Sequence, residues 1–92
     1  MKNPKILFDG GKRWYNAQGQ IHRDGGPAAI DIDGREAWIQ NGEYHRVDGP
    51  AIVTAYGNKY WFQHGKKHRE DGPAVEGPDG YKEWWINDEL IT

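Results

Sequence analysis

Trp38-Ile39-Gln40-Asn41-Gly42-Glu43-Tyr44-His45-Arg46-Val47-Asp48-Gly49-Pro50-Ala51 is the stretch that decides the fold. Asn41-Gly42 supplies the paired positive φ angles of a two-residue hairpin turn. The aromatic and β-branched residues on either side favour strands. Pro50 lacks a backbone donor and cannot sit inside a sheet, so the Asp48-Gly49-Pro50 segment marks a bend or a strand boundary. Upstream, Asp33-Gly34 gives a second turn signal. Two tight turns separated by short strands describe one hairpin following another.

The same pattern recurs along the chain at one fixed interval, the distance from His22 to His45. His22-Arg23, His45-Arg46 and His68-Arg69 keep that spacing, as do Pro27-Ala28, Pro50-Ala51 and Pro73-Ala74. Gly11, Gly34, Gly57 and Gly80 keep it, and so do Tyr15, Trp38, Trp61 and Trp84. Gly19, Gly42 and Gly65 follow the same period, with Asp88 taking the next place. No insertion breaks it. No window carries a sustained 3.6-residue period, and Gly or Pro interrupts every stretch long enough for a helix. The expected architecture is all-β: one domain over residues 1–92, a repeat-built antiparallel meander of stacked hairpins in a single twisted sheet, about three and a half units long.

The segment Trp38–His45, with a Gly turn after it, resembles the MORN repeat, whose unit has the same length and an aromatic-x-x-Asn-Gly-x-x-His core. The chain departs from that pattern where His-Arg-x-Asp-Gly-Pro-Ala replaces the usual His-Gly-x-Gly. In this form it is similar to MORN-variant proteins of bacteriophages, large DNA viruses and some bacteria. The resemblance implies a single twisted sheet used as an interaction platform, with no defined activity.

Alternation along the strands divides the side chains between two faces. Trp38, Trp61 and Trp84 share one face, expected to be the core. Ile39, Phe62 and Trp85 share the other, which a single layer leaves as an apolar patch. These three, with Tyr44 on the hairpin arm, are the expected protein-binding residues, because buried aromatics dominate interfaces. The His-Arg-x-Asp signature is read as structural. Trp38, Trp61, Trp84, His45, Arg46, Asp48, His68, Arg69 and Asp71 belong to the repeat, with each Arg pairing an Asp and capping the Gly-Pro bend. Equivalent His residues lie two strands apart, about 10 Å, too far to share a metal ion whose ligands each lie about 2 Å away.

With 92 residues, 36% hydrophobic and 28% charged, the chain has material for one thin core rich in Trp and Tyr. It holds no Cys and no Ser, which removes disulfides, thiolate metal sites and the commonest nucleophiles. Thr54, Tyr56 and His64 are the residues outside the repeat, and they form no catalytic constellation, so no enzyme activity and no cofactor are expected. A net charge of −2 gives no reason to expect nucleic acid, since Lys66-Lys67-His68-Arg69 is followed at once by Glu70-Asp71. No apolar run reaches the roughly 20 residues of a membrane span, and the apolar stretch Ile6-Leu7-Phe8 is too short for a signal peptide. The cytoplasm, that of a host if the protein is viral, is the expected location.

The function these features suggest is a non-enzymatic protein-binding module. From the resemblance, it is expected to be a phage or viral accessory protein that inhibits or modulates a host factor, such as a defence system. A homodimer is a further expectation. The alternatives are a small-molecule binder that sequesters a nucleotide or sugar, and a structural or antitoxin-like scaffold element.

Overall fold

The computed structural model describes residues 3–92; Met1 and Lys2 of the expected domain lie outside them. In chain order the strands are β1 (Lys5–Ile6), β2 (Lys12–Arg13), β3 (Ala29–Ile30), β4 (Glu36–Ala37), β5 (Ile39–Gln40), β6 (Glu43–Tyr44) and β7 (Ile52–Val53). There follow β8 (Lys59–Tyr60), β9 (Phe62–Gln63), β10 (Lys66–Lys67), β11 (Val75–Glu76), β12 (Lys82–Glu83), β13 (Trp85–Ile86) and β14 (Glu89–Leu90). Eight of them form one antiparallel meander in the order β1-β2-β3-β4-β7-β8-β11-β12. The others pair as the hairpins β5–β6, β9–β10 and β13–β14.

Turn chemistry sets both hairpin types. In the small hairpins Asn41-Gly42, His64-Gly65 and Asn87-Asp88 all have positive φ, from 46° to 83°. His64 and Asp88 thus take the left-handed conformation that Asn and Gly adopt at lower cost. The small hairpins are joined side by side: Arg23, Arg46 and Arg69 donate their backbone N–H to the carbonyls of Ile39, Phe62 and Trp85 at 3.1–3.2 Å. Gly42, Gly65 and Asp88 donate to Ile21, Tyr44 and Lys67 at 2.9 Å. They form a second ribbon beside the meander, meeting it where the strands are interrupted at Trp38, Trp61 and Trp84.

Cross-strand register explains which side is buried. One row runs Arg13–Ala29–Ala37–Ile52–Tyr60–Val75–Glu83 across the sheet, apolar throughout its middle. The other row, Lys12–Ile30–Glu36–Val53–Lys59–Glu76–Lys82, is half-buried or exposed and sets Glu76 between Lys59 and Lys82. The core gathers Ala28, Ala29, Ala37 and Ile52 from the meander with Ile39 from the small hairpins, and Ile21, Tyr44, Tyr60 and Phe62 pack against it.

This reverses the expected core face. The side carrying Ile39 and Phe62 is the inner one, and Trp38, Trp61 and Trp84 lie on the other. The reason is steric: Ala28, Ala37, Ala51 and Ala74 have no exposed surface, and such close approach leaves no room for indole rings. The unbroken period is also corrected. Trp14, not Tyr15, corresponds to Trp38, since Trp14, Trp38 and Trp61 donate their backbone N–H to the carbonyls of Ala28, Ala51 and Ala74 respectively. Trp14 precedes Trp38 by one position more than the repeat interval, because the first small turn, closed by Asn16 N–H to Gln20 O, is longer than Asn41-Gly42. In the first sheet turn the positive-φ glycine is likewise Gly10, not Gly11.

Candidate functional site

The recurring His-Arg pair and the Gly-Pro bend after it build a clamp on Trp14, Trp38 and Trp61. Arg23, Arg46 and Arg69 lay their guanidinium carbon 3.9, 3.7 and 4.0 Å from the ring centroids of Trp14, Trp38 and Trp61. Each Nη1 donates to the carbonyl of Pro27, Pro50 or Pro73 at 3.0–3.2 Å. The opposite side of each guanidinium lies against glycine: a Cβ placed on Gly26, Gly49 or Gly72 would come within 2.9, 2.8 and 2.8 Å of the Arg Cζ. Glycine is needed here for space, not for φ. Each cation–π contact is worth about 0.5–2 kcal/mol depending on exposure. Arg46 and Arg69 also bond Asp48 and Asp71 through Nε at 3.1 and 3.0 Å. Gly25 occupies that place in the first repeat, and Asp24 faces His22 instead.

The His residues join one repeat to the next. Nδ1 of His22, His45 and His68 accepts the backbone N–H of Asn41, His64 and Asn87 at 3.0, 3.0 and 3.2 Å. Those N–H groups belong to the first residue of each small turn and point out of the hairpin. An accepting Nδ1 requires the proton on Nε2, which in His22 and His68 faces Asp24 and Glu70 at 3.3 and 3.2 Å. Val47 replaces the acid beside His45, whose ring lies 4.5 Å from that of His64. Burial, then the neighbouring His64 charge, push the His45 pKa below its ordinary value, with Glu43 opposing.

The four expected contact residues lie elsewhere than on a free face. Ile39 is 7% exposed and belongs to the core. Tyr44 and Phe62 are half-buried against it with their rings 5.2 Å apart. Trp85 is half-buried, donating Nε1 to Glu83 at 2.8 Å beneath the Lys67 ammonium. Ile39, Tyr44 and Phe62 are brought together, but as packing, and Trp85 is not in that cluster.

Four of the exposed apolar side chains gather at the opposite margin of the sheet. Phe8, Ile32, Tyr56 and Tyr81 stand on or beside the turns β1–β2, β3–β4, β7–β8 and β11–β12, and all four are exposed. Neighbouring turns touch: a Cβ on Gly10 would lie 3.6 Å from Ile32, and one on Gly57 3.6 Å from Pro78. With about 4.8 Å between strands, the rim is roughly 30 Å long. Asp9, Asp33 and Asp79 punctuate it, each accepting a backbone N–H within its own turn. Only Tyr56 is conspicuous in the sequence, as a bulky residue outside the repeat. Phe8, Ile32 and Tyr81 give no such signal, because a turn tolerates any side chain at its solvent-facing positions.

The Trp face carries two open grooves. One, of about 580 Å³, lies between the Val47–Pro50 loop and Trp61, Gln63 and Arg69. The other, of about 490 Å³, is lined by Trp14, Asn16, His22 and Arg23. In both, an Arg already covers a ring face that a planar ligand would use. No family model, curated protein or solved structure matches this chain.

Proposed function

We propose that this chain is a non-enzymatic protein-binding module whose contact surface is the turn rim of Phe8, Ile32, Tyr56 and Tyr81. The observation that carries the reading is the alignment of four exposed apolar side chains on adjacent turns of a sheet whose core does not use them. An apolar row of this kind marks association surfaces, and aromatic residues dominate their energetics. The carboxylates of Asp9, Asp33 and Asp79 make the rim suited to a partner with basic residues around an apolar centre. The recurrent His and Arg residues, by contrast, are engaged in holding the repeats together. The likeness of the repeat to phage and viral MORN-type proteins extends the proposal to an accessory protein acting on a host factor in the host cytoplasm.

The test replaces Phe8 and Tyr56 with Ser together, two positions outside the core. Proteins retained from host lysate by the immobilised wild type are expected to be lost from the folded double variant. Retention of the same proteins by both would overturn the assignment of the rim. Native mass spectrometry of the freshly purified chain addresses the sequestering alternative, which a co-purifying small-molecule mass would favour.

A further inference from the structure

We propose that copies of this chain add to one another head to tail, with the outer edge of β12 in one copy pairing antiparallel with the outer edge of β1 in the next. Among the described residues, β1 and β12 are the two strands of the meander with a neighbour on one side only. Successive strands alternate in direction from β1 to β12, so β1 of a second copy fits against β12 antiparallel with both faces of the sheet continuous. On β12 the N–H and C=O of Trp84 are already taken by Thr92 and Ile91, so Lys82 carries the open part of that edge, and an open edge is a template for strand addition. The inner row begins at Lys5 and ends at Glu83, and at the joint Glu83 of one copy meets Lys5 of the next.

Charge complementarity selects this arrangement. The β1–β2 hairpin carries Lys5, Lys12 and Arg13 against Asp9, whereas residues 82–90 carry Glu83, Asp88 and Glu89 against Lys82. Tyr81 Oη and Trp85 Nε1 both donate to the Glu83 carboxylate and hold it ionised. The two-fold alternative, β12 against β12 with matched faces, sets Glu83 opposite Glu83, and like charges directly across a ladder are unfavourable. Apolar surface follows the same geometry. Trp84, Leu90 and Ile91 are exposed at one end of the molecule and Ile6 at the other.

The joint is weaker than those inside the chain, because it has no histidine bond. Ile91 stands one repeat interval after His68, and Asn16 already accepts the N–H groups of Gln18, Gly19 and Gln20 in the turn that would face it. Assembly is therefore reversible and rises with concentration. A contact of this type, joining two different surfaces, extends instead of closing at two copies.

Sedimentation velocity over a concentration series tests this with charge swaps. The wild type is expected to grow beyond dimer as concentration rises and to shrink back in high salt. Glu83→Lys and Lys5→Glu should each weaken association on the order of tenfold, with circular dichroism confirming the fold. Mixing the two single variants restores opposite charges at every joint and should restore assembly, as should the double variant alone. A monomer at all concentrations, a dimer that stops growing, or assembly indifferent to both swaps would overturn the proposal. If Glu83→Lys fails to fold, Lys5→Glu at the exposed edge still decides it.

Discussion

Trp61 and Trp84 occupy corresponding places in successive repeats, yet their surroundings differ. Trp61 donates its backbone N–H to Ala74, carries the Arg69 guanidinium 4.0 Å from its ring, and is half-buried. Trp84 donates to Thr92 instead, has Thr92 in the register position of Arg69, and is 38% exposed. The indole is the constant part of the repeat and the clamp is the variable part. What encloses a Trp here is an Arg held between it and a glycine, together with the loop that presents that Arg.

The sharpest way to break the comparison is to remove each ring. Trp61→Ala is expected to cost about 2–3 kcal/mol, below the range for fully buried aromatics because the ring is only half-buried. Trp84→Ala should cost less than about 1 kcal/mol, since its ring is more exposed and carries no Arg. Urea midpoints at a common slope measure both. Equal losses would mean that the ring's contact with the sheet, and not the clamp, carries its value.

A smaller effect sharpens the role of glycine. Gly72 has ordinary φ, so an added methyl meets no backbone penalty and acts only through the Arg69 Cζ that it would approach to 2.8 Å. Gly72→Ala should cost about 1–2 kcal/mol, the combined worth of the cation–π contact and the bond to Pro73 O. Made on top of Arg69→Ala, the same change should cost almost nothing. A double-mutant cycle reads that coupling, and additivity would show that the two residues act separately.

Much of this fold could be read in the residues because the turns announce themselves. Asn41-Gly42, Asp33-Gly34 and the recurrent Gly-Pro bends set hairpin after hairpin, and the antiparallel meander follows. The core face could not be read the same way. Trp outweighs Ala on any hydrophobic count, so Trp38 looked inward and Ile39 outward. The contrary signal was present in Ala28, Ala51 and Ala74 at fixed period: small residues retained in every repeat imply close approach, not exposure. The clamp was half legible. Arg beside Asp in each unit suggested a capping pair, but the contact with Trp joins residues eight or nine apart across a hairpin and needs the bend to be seen. The extra residue in the Asn16–Gln20 turn was hidden by Tyr15, an aromatic standing where the period asked for one. The turn rim left almost no trace, since exposure at a turn imposes no pattern on the sequence.

The smallest predicted effect concerns the three His bonds, where the joint made by His45 differs from its neighbours. Asp24 and Glu70 face the Nε2 atoms of His22 and His68, whereas His45 has Val47 in that place and His64 against its ring. Its Nδ1 must stay unprotonated to accept the His64 N–H, and burial together with the His64 charge lowers its pKa. The unfolded chain takes up a proton at the ordinary His value, about 6.5, before the folded chain does. The stabilisation is therefore complete above that value and is lost as pH falls from it towards the folded pKa. His45→Asn supplies an acceptor oxygen near the place of Nδ1 but does not titrate. Between pH 7.5 and 5 the wild type is expected to lose about 0.5 kcal/mol more than His45→Asn, a hydrogen-bond value discounted for partial solvation. His22 and His68 are common to both proteins, so the difference in urea midpoints across that range isolates His45. Parallel pH profiles would show that the His45–His64 bond adds nothing to the joint, and that the backbone bonds of Arg46 and Gly65 hold it alone.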